Sequence, residues 1–209
     1  MPLTIIVLDF DGVVVESTKI KHEAFAELFK DYPQRELILQ YHHSHNGVNR
    51  HDKFRYIMEN ILGVGYSDSL ALEWAKRFSE LTRERIIHCP FVEGALDFLE
   101  SFYEKFPLYL ASATPLDELR IIVSQRGIEK YFTGVYGAPM KKTAMFTQIM
   151  RKEKTLPSQM LFIGDSREDF AAAQECGIPF IARISDNNFE GMNVTKYFNL
   201  KEIKLCVGK

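Results

Sequence analysis

The chain has few cysteines, a single tryptophan and almost no net charge, and each shortage removes a class of protein from consideration. Cys89, Cys176 and Cys206 form an odd set without metal-type spacing, so neither a disulfide-stapled domain nor a zinc module is expected, and the thiols fit a reducing compartment. No apolar run approaches the roughly 18 to 20 residues that span a bilayer. The chain opens on a strand-like segment instead of a basic region followed by a short apolar stretch, so a cytoplasmic protein without membrane contact is expected. With 26 basic and 28 acidic residues the formal charge is -2, which leaves no electrostatic footprint for nucleic acid. Internal repeats and low-complexity segments are lacking too. What is present is a chain of 209 residues, 46% of them hydrophobic, enough to bury a core as one domain or as a domain with an insertion.

Short apolar runs separated by amphipathic segments dominate the pattern. Leu3–Leu8, Leu108–Ala111, Gly134–Tyr136, Met160–Ile163 and Pro179–Ile184 read as strands, and the best of them are nearly continuous in apolar residues. Such strands are buried on both faces, as in a parallel sheet covered by helices. Glu93–Glu104, Leu116–Gln125, Thr143–Lys152 and Glu168–Cys176 show helical periodicity. The second of these carries a start signal, with Thr114 as N-cap, Pro115 at the first helical position and Asp117 as the capping-box acid. The alternation predicts an α/β fold with a Rossmann-like parallel sheet. From about Ser17 to His88 the rhythm breaks, and only helices are expected, over Thr18–Lys30, Glu36–His42, Arg50–Leu62 and Ser67–Ile87. This segment reads as an inserted helical domain, with hinges near Val15–Ser17 and Cys89–Pro90.

Four polar constellations fall at the carboxyl ends of the expected strands, where open α/β sheets bind ligands. The first is Asp9-Phe10-Asp11-Gly12. Alternate residues of an extended segment share a face, so both carboxylates enter one site. Like charges that close need a proton or a counter-ion; a hard cation with oxygen ligands meets the need, and Mg²⁺ is the expected one. In isolation the same residues also read as a polar turn. The second constellation, Ser112-Ala113-Thr114, offers a hydroxyl and backbone amides just before a helix, a favourable place for phosphate; a turn followed by a cap explains it equally. The third, Gly137 to Thr143, puts Lys141 and Lys142 at a helix opening, where a cation is unfavourable against the dipole unless an anion is near. A surface lysine pair is the alternative. The fourth is Gly164-Asp165-Ser166-Arg167-Glu168-Asp169, with Asp165 at a strand tip and Asp169 a turn further on.

In order, spacing and chain position these motifs resemble the haloacid dehalogenase superfamily, in its phosphatase and phosphomutase branch with helical caps, similar to the phosphoglycolate phosphatase and β-phosphoglucomutase types. The resemblance covers a core of residues 1–16 and 89–209, with 17–88 as the cap. It implies that Asp9 attacks phosphorus to give an aspartyl-phosphate and that Asp11 protonates the leaving oxygen, then activates water. It further implies that Mg²⁺ is held by Asp9, the Asp11 backbone carbonyl and Asp165, with Asp169 supporting the cluster as a water-bridged partner or as an orienter of Lys142. Ser112 and Lys142, the latter in preference to Lys141, are implied to grip the phosphoryl oxygens. Gly12, Ala113 and Arg50 are the candidate substrate contacts. Halide-displacing members lack an acid at the second position and need no metal, so Asp11 points to phosphoryl transfer.

The cap is implied to close over the site and select a small phosphorylated metabolite, a sugar phosphate or a phosphoglycolate-like acid. Gly47-Val48-Asn49-Arg50 is similar to the turn with which phosphomutase caps hold a second phosphate through an arginine; a surface arginine opening a helix is the plainer alternative. The three histidines before it, His42, His43 and His45, read as loop residues without zinc geometry. A phosphomutase is the runner-up activity. Against it, the alignment that matches Glu16 and Ser17 puts Lys21 where the mutase has histidine, with His22 displaced by one residue. A catalytically silent phosphate-binding module is the alternative of another class; buried acids and a lysine with no reaction to serve would only destabilise it.

Overall fold

The computed structural model describes residues 2–185 and 189–205. In chain order the elements are β1 (Ile5–Leu8), α1 (Thr18–Leu28), α2 (Arg35–Ser44), α3 (Arg50–Tyr56), a π-helical turn (Ile57–Ile61), α4 (Asp68–His88), α5 (Ala95–Phe102) and β2 (Leu108–Pro115). They continue as α6 (Leu116–Gln125), β3 (Gly134–Ala138), α7 (Lys142–Glu153), β4 (Met160–Gly164), α8 (Arg167–Glu175), β5 (Phe180–Arg183) and β6 (Thr195–Tyr197). The strands form one parallel sheet in the order β3-β2-β1-β4-β5-β6. The alternation of apolar runs and amphipathic segments therefore produces the α/β architecture it implies. The chain extends the sheet in opposite directions from β1, so the end of β1 is the topological switch point, the usual ligand crevice of such sheets.

The period of two along each strand divides the core. Ile6, Leu8, Leu110 and Ile163 pack on one face with Phe98 and Leu99 of α5 and Leu119, Ile122 and Val123 of α6. Ile5, Val7, Tyr109 and Phe162 pack on the other with Met145, Phe146 and Ile149 of α7 and Ala173 of α8. Burial on both faces is why these strands lack polar alternation. A third apolar cluster, built on Phe25, Phe29, Ile38, Phe54, Trp74 and Phe78, holds α1 to α4 together away from the sheet.

Two arginines fasten the strands of chain that join this helical layer to the sheet. Arg183 of β5 donates to the Gly12 carbonyl at 3.1 Å and to Glu16 at 2.5 Å, just before α1. Arg126, at the end of α6, donates to the carbonyls of Ile86 and Ile87, each at 2.7 Å, and of Cys89 at 2.9 Å, where α4 ends.

Several local readings are corrected. Thr114 is no N-cap: β2 runs through it and α6 starts at Leu116 with Pro115 as the cap. Its hydroxyl instead donates to Asp11 at 2.9 Å, and a bond to a carboxylate is stronger than one to a backbone amide. His42 and His43 lie in the last turn of α2, not in a loop. The helix expected over Arg50–Leu62 is α-helical only to Tyr56 before the π-helical turn. The short strand β6, partly exposed, has no hydropathy signal. Cys89 and Cys176 are free thiols, while Cys206 lies outside the described residues. Among the described residues no helix is long and apolar enough to cross a membrane.

Removing the Arg126 side chain leaves three carbonyls without their donor. Arg126→Ala should lower unfolding stability by about 1.5–3 kcal/mol, read as a lower urea midpoint. A change within about 0.5 kcal/mol, the usual range for surface substitutions, would show that Arg126 does not anchor the end of α4.

Candidate active site

The crevice at the switch point is built from strand ends. Asp9 follows β1 directly, and its amide donates to the Ile163 carbonyl of β4 at 2.9 Å, so its side chain is delivered where the sheet stops. Lys142, the first residue of α7, places its ammonium 2.8 Å from Asp9 Oδ1. The same ammonium pairs with Asp169 Oδ1. Lys141 is exposed and reaches neither acid. A lysine at a helix start is unfavourable against the dipole, and here two carboxylates supply the compensating charge.

Asp169 has no exposure. Its Oδ1 accepts from Lys142, and its Oδ2 accepts from the amides of Asp165 at 3.2 Å and Ser166 at 3.3 Å. Ser166 Oγ in turn accepts from the Asp169 amide at 3.1 Å, closing a capping box at the start of α8. Both oxygens of Asp169 thus accept hydrogen bonds within the protein, one from Lys142 and the other from the β4–α8 turn.

Asp9, Asp165 and Asp169 bring carboxylate oxygens within 4.8 Å of one another. These three acids are a group that could hold a metal ion, and an all-oxygen donor set suits a hard cation such as Mg²⁺. The electrostatics fit. Burial, with Asp169 and Asp11 nearby, raises Asp9 to about 7 although the Lys142 ammonium pulls the other way. Burial, followed by the charges of Asp9 and Asp169, holds Asp165 well above the usual carboxylate range. Burial opposes the charge on Lys142, but Asp169 and Asp9 outweigh it and raise its pKa. Two neighbouring carboxylates that resist ionising suit a site where a cation would stabilise the charged form of both. Gly12, with φ of +75°, leaves the room for this: a Cβ there would fall 2.0 Å from Asp165 Oδ2.

Asp11 has a different environment. Its Oδ1 accepts from Ser17 at 2.6 Å, and its Oδ2 from Thr114 at 2.9 Å, with Lys21 Nζ at 2.5 Å. Ser112 Oγ, fully buried, stands 3.4 Å from the same oxygen. Burial works to raise the Asp11 pKa, but Lys21, Ser17 and Thr114 outweigh it and lower it. Asp11 is therefore a carboxylate in this conformation, ready to accept a proton; to donate one it must first exchange Lys21 for a proton source. Ser17, Lys21 and Thr114 as partners of Asp11 were invisible to spacing arguments because they come from α1 and β2.

The helical layer forms the roof. Asp9, Asp11, Ala113, Lys142 and Asp165 share one cavity with Lys21, His22, Arg50 and Lys53. The loop after α2 descends onto the start of α8, where the Gly47 amide donates to Glu168 at 3.3 Å. A Cβ on Gly47 would meet Ser166 Oγ at 2.3 Å, so only glycine permits this approach. Arg50, the candidate substrate contact, is already neutralised. Its guanidinium lies 2.9 Å from Glu118 of α6 and donates to Ser79 at 2.6 Å, with both charged side chains buried.

Comparison with known proteins bears on the family and the fold. Residues 6–183 match the family model described as haloacid dehalogenase-like hydrolase. The phosphoglycolate phosphatase of Photobacterium profundum is 33% identical over 87 residues, covering 39% of this chain and 38% of that protein. The phosphoglycolate phosphatase of Shigella boydii is 30% identical over 117 residues, covering 54% of this chain and 46% of that protein. The matched stretches thus span less than half the length of these curated relatives. The crystal structure of β-phosphoglucomutase from Clostridium difficile superposes with a TM-score of 0.75 at 15% identity, covering 97% of this chain and 93% of that one, which is a likeness of fold. With a family model covering most of its length and the parallel sheet of that fold, this chain belongs to the haloacid dehalogenase-like hydrolase family.

Proposed function

We propose that the protein is a Mg²⁺-dependent phosphatase that hydrolyses a small phosphate monoester through an aspartyl-phosphate on Asp9. The observation that carries this reading is the Lys142 bridge: a buried ammonium holds one oxygen of Asp9, next to a second acid, Asp165, with free oxygens. That arrangement suits a nucleophilic carboxylate whose negatively charged target needs cations around it. The relatives named phosphoglycolate phosphatase support the reaction class.

Asp9 and Asp165 side chains, with the Asp11 backbone carbonyl, would hold the metal. When bound, the ion neutralises phosphoryl charge and lets Asp9 ionise. Asp9 then attacks phosphorus in line, and the ester oxygen leaves with the electron pair of the broken P–O bond. Lys142 and the Ser112–Ala113 strand end hold the phosphoryl oxygens. Asp11, freed from Lys21 and carrying a proton, protonates the leaving oxygen; returned to the carboxylate it takes a proton from the water that hydrolyses the aspartyl-phosphate. The helical segment 17–88 acts as a cap that excludes bulk water and opens for exchange.

Hydrolysis is favoured over transfer to a second sugar hydroxyl by the surroundings of Asp11. The group beside it is Lys21, paired with Asp11 in this conformation, while the histidine one residue on, His22, is hydrogen-bonded to Asn46 at 2.9 Å.

Asp9→Asn should reduce hydrolysis of p-nitrophenyl phosphate at least about a thousandfold with an unchanged circular dichroism spectrum; turnover within tenfold of wild type would remove Asp9 from the nucleophile's role. The metal prediction follows from linkage. Asp9 and Asp165 hold protons in the folded apo-protein at pH values where the unfolded chain has released them. The stabilisation from Asp9 is full below the ordinary carboxylate range and is lost as pH rises through about 7, and that from Asp165 is lost likewise above the ordinary range. Mg²⁺ must displace these protons, so EDTA should abolish turnover, and Mg²⁺ should raise the melting temperature more at pH 8 than at pH 6. An equal or smaller shift at pH 8, or turnover in EDTA, would contradict the assigned metal site.

A further inference from the structure

Four lysine and arginine side chains line the cavity: Lys21, Arg50, Lys53 and Lys142. Three of them have an acidic partner within the protein. Lys21 lies 2.5 Å from Asp11, Arg50 lies 2.9 Å from Glu118, and Lys142 lies 2.8 Å from Asp9. Lys53, on α3 in the helical layer, is the exception. Its side chain is 3% exposed, yet no carboxylate of the described residues lies within ion-pair distance. Its hydrogen bond goes to a neutral partner, His42 Nδ1 at 3.1 Å.

The histidine makes the imbalance larger. An ammonium can only donate, so His42 Nδ1 accepts and the ring hydrogen sits on Nε2. That buried Nε2 has no hydrogen-bond partner. His42 also lines the cavity, stacked on Phe25 at 3.7 Å between ring centroids. The roof thus presents an unneutralised cation and an unused donor, both short of an acceptor. Burying an ammonium without a counter-charge costs several kcal/mol, and removal of one partner from a buried pair is costly for the same reason.

We propose that Lys53 receives a second anionic group of the substrate, so that the preferred esters carry a carboxylate or a second phosphate besides the phosphoryl group that Asp9 takes. This rests on the phosphatase reading and adds the substrate class to it. The arginine suggested by the motif resemblance cannot serve without first giving up Glu118, whereas Lys53 gains its missing counter-charge when the substrate arrives. Burial, then the nearby Lys21, pushes Lys53 down to about 7 in the empty cavity; Glu168 and Asp11, the acids that oppose this, are too distant to pair with it. An incoming anion reverses that depression. Arg50, with Ser79 and Glu118, becomes the tie that holds α3 and α4 against α6.

The test compares phosphoglycolate and a sugar bisphosphate with ethyl phosphate, which lacks a second anion, in wild type, Lys53→Met and Arg50→Met. Wild type should prefer at least one of the doubly anionic esters, and the carboxylate and phosphate arms show which source it takes. Lys53→Met should lower kcat/KM for the preferred ester about 30- to 100-fold, chiefly through KM, and change ethyl phosphate less than about threefold. It should melt no lower than wild type, because an unpaired buried charge has been replaced by an apolar chain of similar length. Arg50→Met should melt lower and reduce all esters alike. Loss of the preference in Arg50→Met instead of Lys53→Met, equal losses on all esters in Lys53→Met, or a wild type indifferent to the second anion would overturn the assignment while leaving the phosphatase reading intact. Phosphate release from none of the esters would overturn the phosphatase reading, and the assignment with it.

Discussion

The site depends on one ammonium. Lys142 sits at the start of α7, between Asp9 after β1 and Asp169 on α8, and so ties together the polar ends of three elements that are far apart in the sequence. Without that charge, two buried carboxylates, Asp9 and Asp169, and a half-buried one, Asp165, would lie within 4.8 Å of one another with no cation among them, an unfavourable arrangement. With it, Asp169 is held by Lys142 and by the amides of Asp165 and Ser166, Lys142 is fixed in position, and the burden of crowding falls on Asp9 and Asp165. A divalent cation at Asp9 and Asp165, as proposed, would relieve that crowding.

The rest of the fold serves to hold these groups at one point. A sheet buried on both faces gives rigid strand ends, and the direction change at β1 opens the crevice there. The helical layer contributes separately. Its aromatic cluster makes it a cohesive unit, Arg126 and Arg183 pin its two connections, and Gly47 lets it approach α8 closely enough to roof the cavity. Charge is distributed accordingly: the floor carries the acids, neutralised in part by Lys142, and the roof carries the cations.

The sheet was legible in the sequence because burial on both faces writes itself as continuous apolar runs, as in Ile5-Ile6-Val7-Leu8. The strand-end motifs were legible because the parallel sheet returns every strand in the same direction, so its polar ends converge. What stayed hidden depends on partners far apart in the chain. Thr114 has every local mark of a helix cap, and only the position of Asp11, 103 residues away, reveals its other use. Arg50 reads as a candidate substrate contact, and its ion-pair partner Glu118, 68 residues on, lies beyond any motif. Lys53 gave no signal, since a lysine on an amphipathic helix normally reaches water. Asp169 reads as an acid one turn beyond Asp165, and its bonds to Lys142 and to the amides of Asp165 and Ser166 carry no mark in the sequence. The short strand β6 lies at the sheet edge, partly exposed, and lacks the apolar run that marks its neighbours.

The central claim is that Asp9 becomes phosphorylated during turnover. It is tested most directly by mixing the Mg²⁺-loaded protein with p-nitrophenyl phosphate, quenching in acid within one turnover, reducing with borohydride and sequencing the peptides by mass spectrometry. An acyl phosphate on Asp9 is reduced to homoserine, and the account predicts that conversion at position 9 in wild type and its absence without substrate. Conversion of another carboxylate, or rapid turnover with no reducible acyl phosphate at Asp9, would contradict it.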